Sequence, residues 1–595
     1  MPTKSFWAVP IMGVAAVGAI ASGASCKCAP GDSCWPSIGA WDKLNATVSG
    51  KLIATKPIAL PCYPGPDYDA AACGAVQVGL SQDSFVSENP IGLDYPINIT
   101  CPPINVAANA TNITADSCTL GTNPLFAVNV TEIDDIVAAV RFAQKNKVRL
   151  VIKSTGHDVL GRNDGYGSLE VWLRYFRKGI TLQDKFKSST GCTASGWDGS
   201  AMKMAGAYMW GEGYAVAREN NFVVVGGGSA TVCGTGGWVQ GGGHGPGSHT
   251  FGLGADQVLE AEIVLASGRV VTANSCQNQD LYYAIRGGGP STYGVVVSTT
   301  VKTYPQVNVT VQNLSFAPRD SASQESFLDA LADLYLEVPS LVDAGFAGYT
   351  HWQYEGPGPI FDNYTTGYTH NIYTLNSTLD YAVAAGQTLL DKINHYNDTI
   401  YVNSSYVTYW DYWSFFHNTS ADVGPVGILS ASGSRLLDGP SLSNATSVRE
   451  LVGVLAGDVG QGVINVMSIV SGGKVWKDAS QAHSAVLPAW RKAYVHQTVA
   501  RIIGNNLADE EKQAIFHDIT YNKIGFMKTL APDSGSYMNE ADFNDPDWKV
   551  DFYGENYPRL LAIKEYHDPE SLFYCPTCVG SDKWQADSVG QLCRV

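Results

Sequence analysis

Between residues 222 and 256 the chain reads FVVVGGGSATVCGTGGWVQGGGHGPGSHTFGLGAD, a glycine-crowded stretch set among Val, Trp and Leu rather than the Ser and Lys of a solvated linker. Backbone without Cβ atoms can bring its N–H groups close to a large, negatively charged group. The stretch therefore predicts a cradle for a phosphate-bearing cofactor. Upstream, residues 147–162 (KVRLVIKSTGHDVLGR) run from a basic helix end through a buried strand at 150–152 into the polar turn Lys153-Ser154-Thr155-Gly156-His157-Asp158.

At 595 residues, with ordinary apolar content, the chain is long enough for a large core shared by two closely packed domains. Its net charge of −17 and the lack of any basic run argue against nucleic acid and anionic membrane surfaces as partners. Residues 7–21 (WAVPIMGVAAVGAIA) follow Lys4 and precede Ser22, Gly23, Ala24 and Ser25, the pattern of a secretory signal cleaved near Ala24 or Ser25. Thirteen N-x-S/T sequons agree with export: Asn45, Asn98, Asn109, Asn112, Asn129, Asn308, Asn313, Asn363, Asn376, Asn397, Asn403, Asn418 and Asn444. Seven of the 13 cysteines fall before residue 119 and three lie at the end (Cys575, Cys578, Cys593), which in an oxidising compartment predicts disulfides stapling extensions onto the core. The odd count leaves at least one cysteine without an intrachain partner.

Five ordered segments resemble the vanillyl-alcohol-oxidase (PCMH) type of FAD-binding protein, and within it the berberine-bridge-enzyme-like oxidases, closest to the secreted fungal isoamyl-alcohol-oxidase-like group. They are the opening strand and helix at 123–143, with Thr131 as expected cap and Ile133, Ile136, Val137 and Val140 as its apolar stripe; the 153–158 turn; and the glycine loop ending in Gly254-Ala255-Asp256. The others are Arg286-Gly287-Gly288-Gly289 with Tyr293-Gly294-Val295-Val296, and the closing Tyr553-Gly554-Glu555-Asn556.

The resemblance implies an α+β fold: a PCMH-type FAD-binding domain of two α+β subdomains, roofed by an α+β substrate domain carrying an antiparallel sheet. Expected boundaries are a signal at 1–24, a Cys-rich extension at 25–121, the FAD domain at 122–306, the substrate domain at 307–510, and a C-terminal segment at 511–595 that returns to the FAD domain. Within these, residues 259–266 and 267–271 read as two strands joined by a tight turn, 323–336 and 379–393 as amphipathic helices, and the aromatic run 408–416 as core or cavity wall.

By resemblance the cofactor is FAD, held by Lys153, Ser154, Thr155, Gly156, His157, Asp158, Ser229, Thr231, Gly236, Gly237, Gln240, Gly241, Gly242, Gly243, His244, Gly254, Ala255, Asp256, Gly294, Val295, Val296, Tyr553 and Asn556. His157 occupies the position where relatives attach the flavin covalently. The second, cysteinyl attachment slot falls on Ser229, with Cys233 four residues later, so the expectation is one link through His157 or a shifted linkage at Cys233. His244 and His249 with Cys233 lack helical spacing and a closing carboxylate, and no metal is expected. For the catalytic base, residues 532–543 (PDSGSYMNEADF) offer Tyr537 and Asn539, and strand alternation after Trp490 puts Tyr494, His496 and Thr498 on one face and Gln497 on the other. No Asp or Glu stands in that strand, and Val159 replaces the tyrosine of the berberine-type enzymes. Tyr537 or His496 is the expected proton acceptor in oxidation of a CH–OH group to a carbonyl, with O2 taking the electrons, in a secreted monomer. Oxidative cyclisation or desaturation of a metabolite, and an idle binding glycoprotein, are the alternatives.

Overall fold

The computed structural model describes residues 25–104, 117–419, 426–458, 461–481, 483–504 and 507–595, so the expected signal segment and the sequons at Asn109 and Asn112 lie outside the described residues. The fold is α+β, built on three main sheets that pack around one large cavity, with a small two-stranded ribbon of Trp584–Ala586 and Leu592–Arg594 near the C-terminus.

The first sheet is small and mostly parallel. Phe126–Asn129 pairs in parallel with Leu169–Trp172, which pairs in parallel with Leu150–Lys153, and Leu52–Ala54 closes the outer edge antiparallel. Both faces of such a sheet are covered, which is why its strands are nearly all apolar. The helix Ile133–Asn146 covers one face through Ile136, Ala139, Val140 and Ala143, all inaccessible to solvent. Its cap is Glu132 and not Thr131, because the Asp135 carboxylate reaches back to accept the backbone N–H groups of both Thr131 (3.0 Å) and Glu132 (2.9 Å).

The second sheet has the order Arg177–Gln183, Ala201–Gly206, Val295–Pro305, Val258–Val264, Val270–Asn274, with Phe222–Val224 paired to the far end of Val295–Pro305. The expected hairpin is present as Val258–Val264 and Val270–Asn274, turning at Gly268 with φ +74°.

The third sheet is wholly antiparallel, in the order Ile400–Tyr409, Val309–Pro318, Gly367–Leu375, Ala347–Gln353, Val463–Ile469, Ala493–Ile502, Ser430–Asp438. Side chains alternate across it. One face packs against the helices Gln324–Asp343, Leu379–Asn394 and Ala445–Ala456, and there Gln497 is bound by the Tyr335 hydroxyl (2.6 Å). The other face, with Thr498, Ala500 and Ile502 from the same strand, roofs the cavity. The aromatic run 408–416 is half strand end and half helix: Tyr412, Trp413, Phe415 and Phe416 are buried in the helix Tyr412–Thr419, while Trp410 is 88 % exposed.

Six disulfides join Cys26 to Cys593, Cys28 to Cys34, Cys62 to Cys73, Cys101 to Cys118, Cys192 to Cys276 and Cys575 to Cys578, leaving Cys233 as a buried free thiol. The first of these ties the two ends of the chain together, and Cys575 and Cys578 form a structural bridge with each other.

Candidate active site

The cavity encloses about 850 Å³, toward the upper end of the roughly 300–1,000 Å³ of small-molecule sites. Its floor is the 154–159 turn, the glycine loop at 227–237 and the Gly294-Val295-Val296 strand start; its roof is the third sheet. At Gly228 an added Cβ would touch the Tyr349 phenol at 3.6–3.8 Å and at Gly237 the Pro290 ring at 3.6–3.7 Å, ordinary contacts, so a side chain at either position would take up room at the cavity wall.

His157 is held from two sides. Its Nε2 lies 2.7 Å from Thr231 Oγ1 and 3.3 Å from Asp83 Oδ1, while Nδ1 lies 3.2 Å from Asp94 Oδ2. Thr231 in turn donates to Asp83 Oδ2 (3.0 Å). Burial disfavours the charged ring, but the hydrogen bond to Asp83 and the two carboxylate charges outweigh it and raise the His157 pKa. Burial also pushes Asp94 up to about 7 against the pull of His157, whereas Asp83, penalised by burial as well, is taken below its usual value by the His157 hydrogen bond and charge.

Across the cavity stands a second cluster. His244 Nε2 is 3.1 Å from Glu540 Oε1, and its Nδ1 is 3.2 Å from the Tyr349 hydroxyl. His496 lies behind them, fully buried, with Nδ1 3.6 Å from Glu540 Oε2 and neither ring nitrogen hydrogen-bonded. Burial drives His496 down to about 4, so its ring is neutral at pH 7. Glu540 is 40 % exposed as a side chain, but it lines the cavity, so that exposure is to enclosed space; burial pushes its pKa up, and the His244 charge and hydrogen bond overcome this to bring it to about 2. Tyr537 also lines the cavity, and burial raises its phenol well above the ordinary tyrosine value. Its hydroxyl accepts from Asn539 Nδ2 (2.7 Å), and Asn539 is otherwise tied to Gly237 O (3.0 Å) and to Arg162 Nη2 (2.9 Å).

The cavity brings together Ser154, Thr155, Gly156, His157, Asp158, Ser229, Gly236, Gly237, Gln240, His244, Gly294, Val295, Val296, Tyr537 and Asn539. Other expected residues stand outside its lining. Lys153 is buried behind the turn, donating to Asn89 O (2.5 Å), and Thr231 reaches the site through His157 and through the Ser229 hydroxyl (3.0 Å). Gly241 packs so tightly on Asn539 that a Cβ would fall 2.5 Å from Nδ2. Gly242 and Gly243 accept the Ala255 and Gly254 N–H groups (2.8 and 2.7 Å), bracing the loop from beneath. Asp256 is fully buried and accepts both Arg491 terminal nitrogens (2.8 and 2.9 Å), clamping the glycine loop to the roof domain. Tyr553 donates to Thr577 O (3.0 Å), and Asn556 donates to Ala485 O and Val486 O (3.2 Å each). His249 points elsewhere, to Val342 O (3.1 Å), and the side chain that joins His244 is Glu540.

Glu540, Tyr349, Asp83 and Asp94 escape the sequence reading. Glu540 lies in a segment already singled out for Tyr537 and Asn539. The other three carry no local motif and meet the site only through the fold.

An FAD-binding fold enclosing a large cavity, with a histidine turn on its floor and a histidine–carboxylate cluster opposite, defines a flavin-dependent oxidoreductase. The comparisons agree: residues 124–274 match the family "FAD binding domain" and residues 536–580 the family "Berberine and berberine like". The FAD-linked oxidoreductase hmp9 of Hypomyces subiculosus is 42% identical over 96% of this chain and 90% of its own, and the bifunctional decalin synthase calF of Penicillium decumbens is 33% identical over 96% of each. Among solved structures, the VAO-type flavoprotein MtVAO713 of Myceliophthora thermophila superimposes with a TM-score of 0.93 at 43% identity, covering 96% of this chain and 100% of the other. The chain belongs to the berberine-bridge-enzyme-like, VAO-type family of FAD-linked oxidoreductases.

The residues present fit FAD. The cavity has the required volume, and Gly228, Gly236 and Gly237 in its wall leave the backbone free to approach a bound group, with no side chain taking up the room.

Proposed function

We propose that this protein is a secreted FAD-dependent oxidase that removes hydride from a CH–OH group of a small neutral molecule and leaves a carbonyl, with O2 as final acceptor and H2O2 as product. The observation that carries the reading is the Glu540–His244–Tyr349 cluster lining the cavity opposite the cofactor-binding loops. FAD supplies the hydride acceptor and passes the electrons to O2. Ser154, Thr155, Gly156, Ser229, Gly236, Gly237 and Gln240 would hold it on the cavity floor, with His157 as its covalent attachment.

The protein's remaining task is to take the hydroxyl proton and orient the C–H bond. Tyr537, with its raised pKa, is protonated at neutral pH and acts as a donor, not as the base. His496 does not reach the cavity surface and is reached only past Glu540 and His244. Glu540 is therefore assigned as the acceptor of the substrate O–H: one oxygen is bound to His244, the other remains to receive the substrate. His244 holds that first oxygen in place as the proton arrives, so the pair works as a unit. Tyr349 fixes the His244 ring from the other side.

Export completes the reading, supported by the leader-like residues 1–24, the sequons and the six disulfides, and the protein is proposed to act as a monomer. A mass shift on deglycosylation of culture-supernatant protein and light scattering at one chain mass would check both. Oxidative cyclisation or desaturation is the second reading, favoured by one observation: the decalin synthase among the relatives.

The deciding experiment is anaerobic mixing with a panel of neutral primary and secondary alcohols, following bleaching of the flavin absorbance. One alcohol that bleaches wild type, and bleaches Glu540→Gln about 10²–10⁴-fold more slowly at equal flavin content, supports the assignment. If no alcohol bleaches the flavin, oxidation of CH–OH is refuted. Equal rates in Glu540→Gln remove Glu540 as the base.

A further inference from the structure

The turn carrying His157 is not completed by the FAD-binding fold alone. A segment of the N-terminal extension, from the short helix Asp83–Ser87 to Asp94, lies against it. Asp94 N donates to Gly156 O (3.1 Å), Asn89 O accepts Lys153 Nζ, and Gly92 O would lie 2.9 Å from a Cβ on Gly156. The close fit leaves no choice of side chain at Gly156, where φ is +104°.

The two carboxylates brought in by this segment stand on opposite nitrogens of one ring. Nε2 is committed to Thr231 and Asp83. Nδ1 has Asp94 Oδ2 3.2 Å away, and the Asp94 carboxyl also stands in hydrogen-bonding contact with Asp83. Asp94 is completely buried beside the Asp83 charge, and a buried carboxylate next to a like charge is costly unless it takes up a proton. The raised pKa of Asp94 agrees with that capacity.

We propose that Asp94 and Asp83 are positioning residues that make His157 competent for covalent attachment of the flavin. This rests on the covalent reading above. Asp94 takes the proton from Nδ1, freeing that nitrogen, while Asp83 and Thr231 hold the Nε2–H. The Nδ1–C bond to the flavin 8α-carbon forms as Nδ1–H and one C–H of the 8α-methyl group break. The two protons and two electrons released go to O2, giving H2O2. The alkylated ring keeps its Nε2–H and its positive charge, which Asp83 balances. The N-terminal extension is thus part of the cofactor-attachment machinery.

The test uses full-length protein produced under riboflavin starvation and then given FAD and air. Two quantities are followed: total FAD bound, and the fraction that stays with the acid-precipitated pellet. Wild type should convert bound FAD to the pellet form. Asp94→Asn should bind the same total FAD and convert it at least tenfold more slowly, Asp94→Glu should recover part of the rate, and Asp83→Asn, on a separate element, should also be slow. Wild-type protein that releases all its flavin on acid treatment defeats the covalent reading and this inference with it. Wild type that retains flavin, with Asp94→Asn and Asp83→Asn converting equally fast, overturns the inference alone. Loss of FAD binding altogether in both variants would also overturn it, reducing the carboxylates to parts of the fold.

Discussion

Replacing Asp256 separates two roles that its place in the glycine loop confounds. The motif Gly254-Ala255-Asp256 suggests a cofactor ligand, but the structure seals Asp256 from the cavity and pairs it, through both oxygens, with Arg491 at 2.8 and 2.9 Å. Its Oδ2 also accepts the Leu253 N–H (3.1 Å), and Arg491 donates to Val475 O (2.9 Å). Asp256→Ala leaves a guanidinium that is only 10 % exposed without its counter-charge. Breaking such a buried pair from one side costs about 3–5 kcal/mol, whereas replacing both partners by apolar groups of similar volume is roughly neutral. Asp256→Ala and Arg491→Met should therefore each lower stability by about that amount, and Asp256→Leu/Arg491→Met should recover most of it, a large coupling between two contacting residues. The assay is denaturant unfolding followed by tryptophan and flavin fluorescence, with flavin per chain measured on the folded fraction. Folded Asp256→Ala should carry a full complement of FAD. A variant of wild-type stability that has lost its flavin would refute the clamp and restore the ligand role.

Three further outcomes follow from the geometry. His496 is held near 4 against about 6.5 when unfolded, so between these values the unfolded state binds more protons and stability falls as pH drops, by about 3 kcal/mol over the whole window; His496→Phe should flatten that part of the stability–pH curve, and an unchanged slope would refute it. Gly237→Val should fold, since a Cβ there makes only ordinary contacts with Pro290 (3.6 and 3.7 Å), but should be purified with little or no flavin; a full complement would show that this wall does not face the cofactor. Cys233 is buried and unpaired, so native protein should give no reaction with a thiol reagent, and one thiol per chain should appear on denaturation; peptide mapping that found flavin on Cys233 would replace this outcome.

The floor of the site was legible because its determinants are local. A strand, a Gly-His turn and a loop that excludes side chains are all written in consecutive residues. The opposite wall was only half legible, and Glu540 shows why. Read as an extended strand, 532–543 would put Tyr537 and Asn539 on one face and turn residue 540 away. The chain instead makes a tight turn there, with Glu540 N donating to Tyr537 O (2.9 Å), and Tyr537, Asn539 and Glu540 all reach the cavity. A period-two argument loses its force wherever the backbone is not extended. Asp83 and Asp94 had no local signal at all, since they meet His157 across more than sixty residues of intervening chain, and only a disulfide-rich extension was visible in the sequence. Thr131 failed as a cap for a simpler reason: Asp135 supplies a stronger, charged acceptor to two N–H groups at once.

The division of labour inside the cavity follows from where its charges lie. His157, Asp158, Arg162, His244 and Glu540 all stand on the side of the FAD-binding fold and its returning C-terminal segment. The roof sheet offers hydroxyls and an amide at Thr369, Asn371, Ser430, Ser432 and Thr498, and aliphatic surface at Ile464, Val466 and Ile502. His351, which also faces in, is pushed toward its neutral form by burial. A charged substrate group placed under that sheet would be desolvated without a counter-ion, at a cost of several kcal/mol. On the proposed reading, proton transfer and cofactor attachment fall to the FAD-binding fold, its returning C-terminal segment and the N-terminal extension, with Tyr349 the one contribution from the roof, while the choice among neutral substrates falls to the alternate cavity-facing side chains of the roof sheet. Such positions can change without disturbing the helices packed on the other face, because each strand sends its helix-facing and cavity-facing residues to opposite sides.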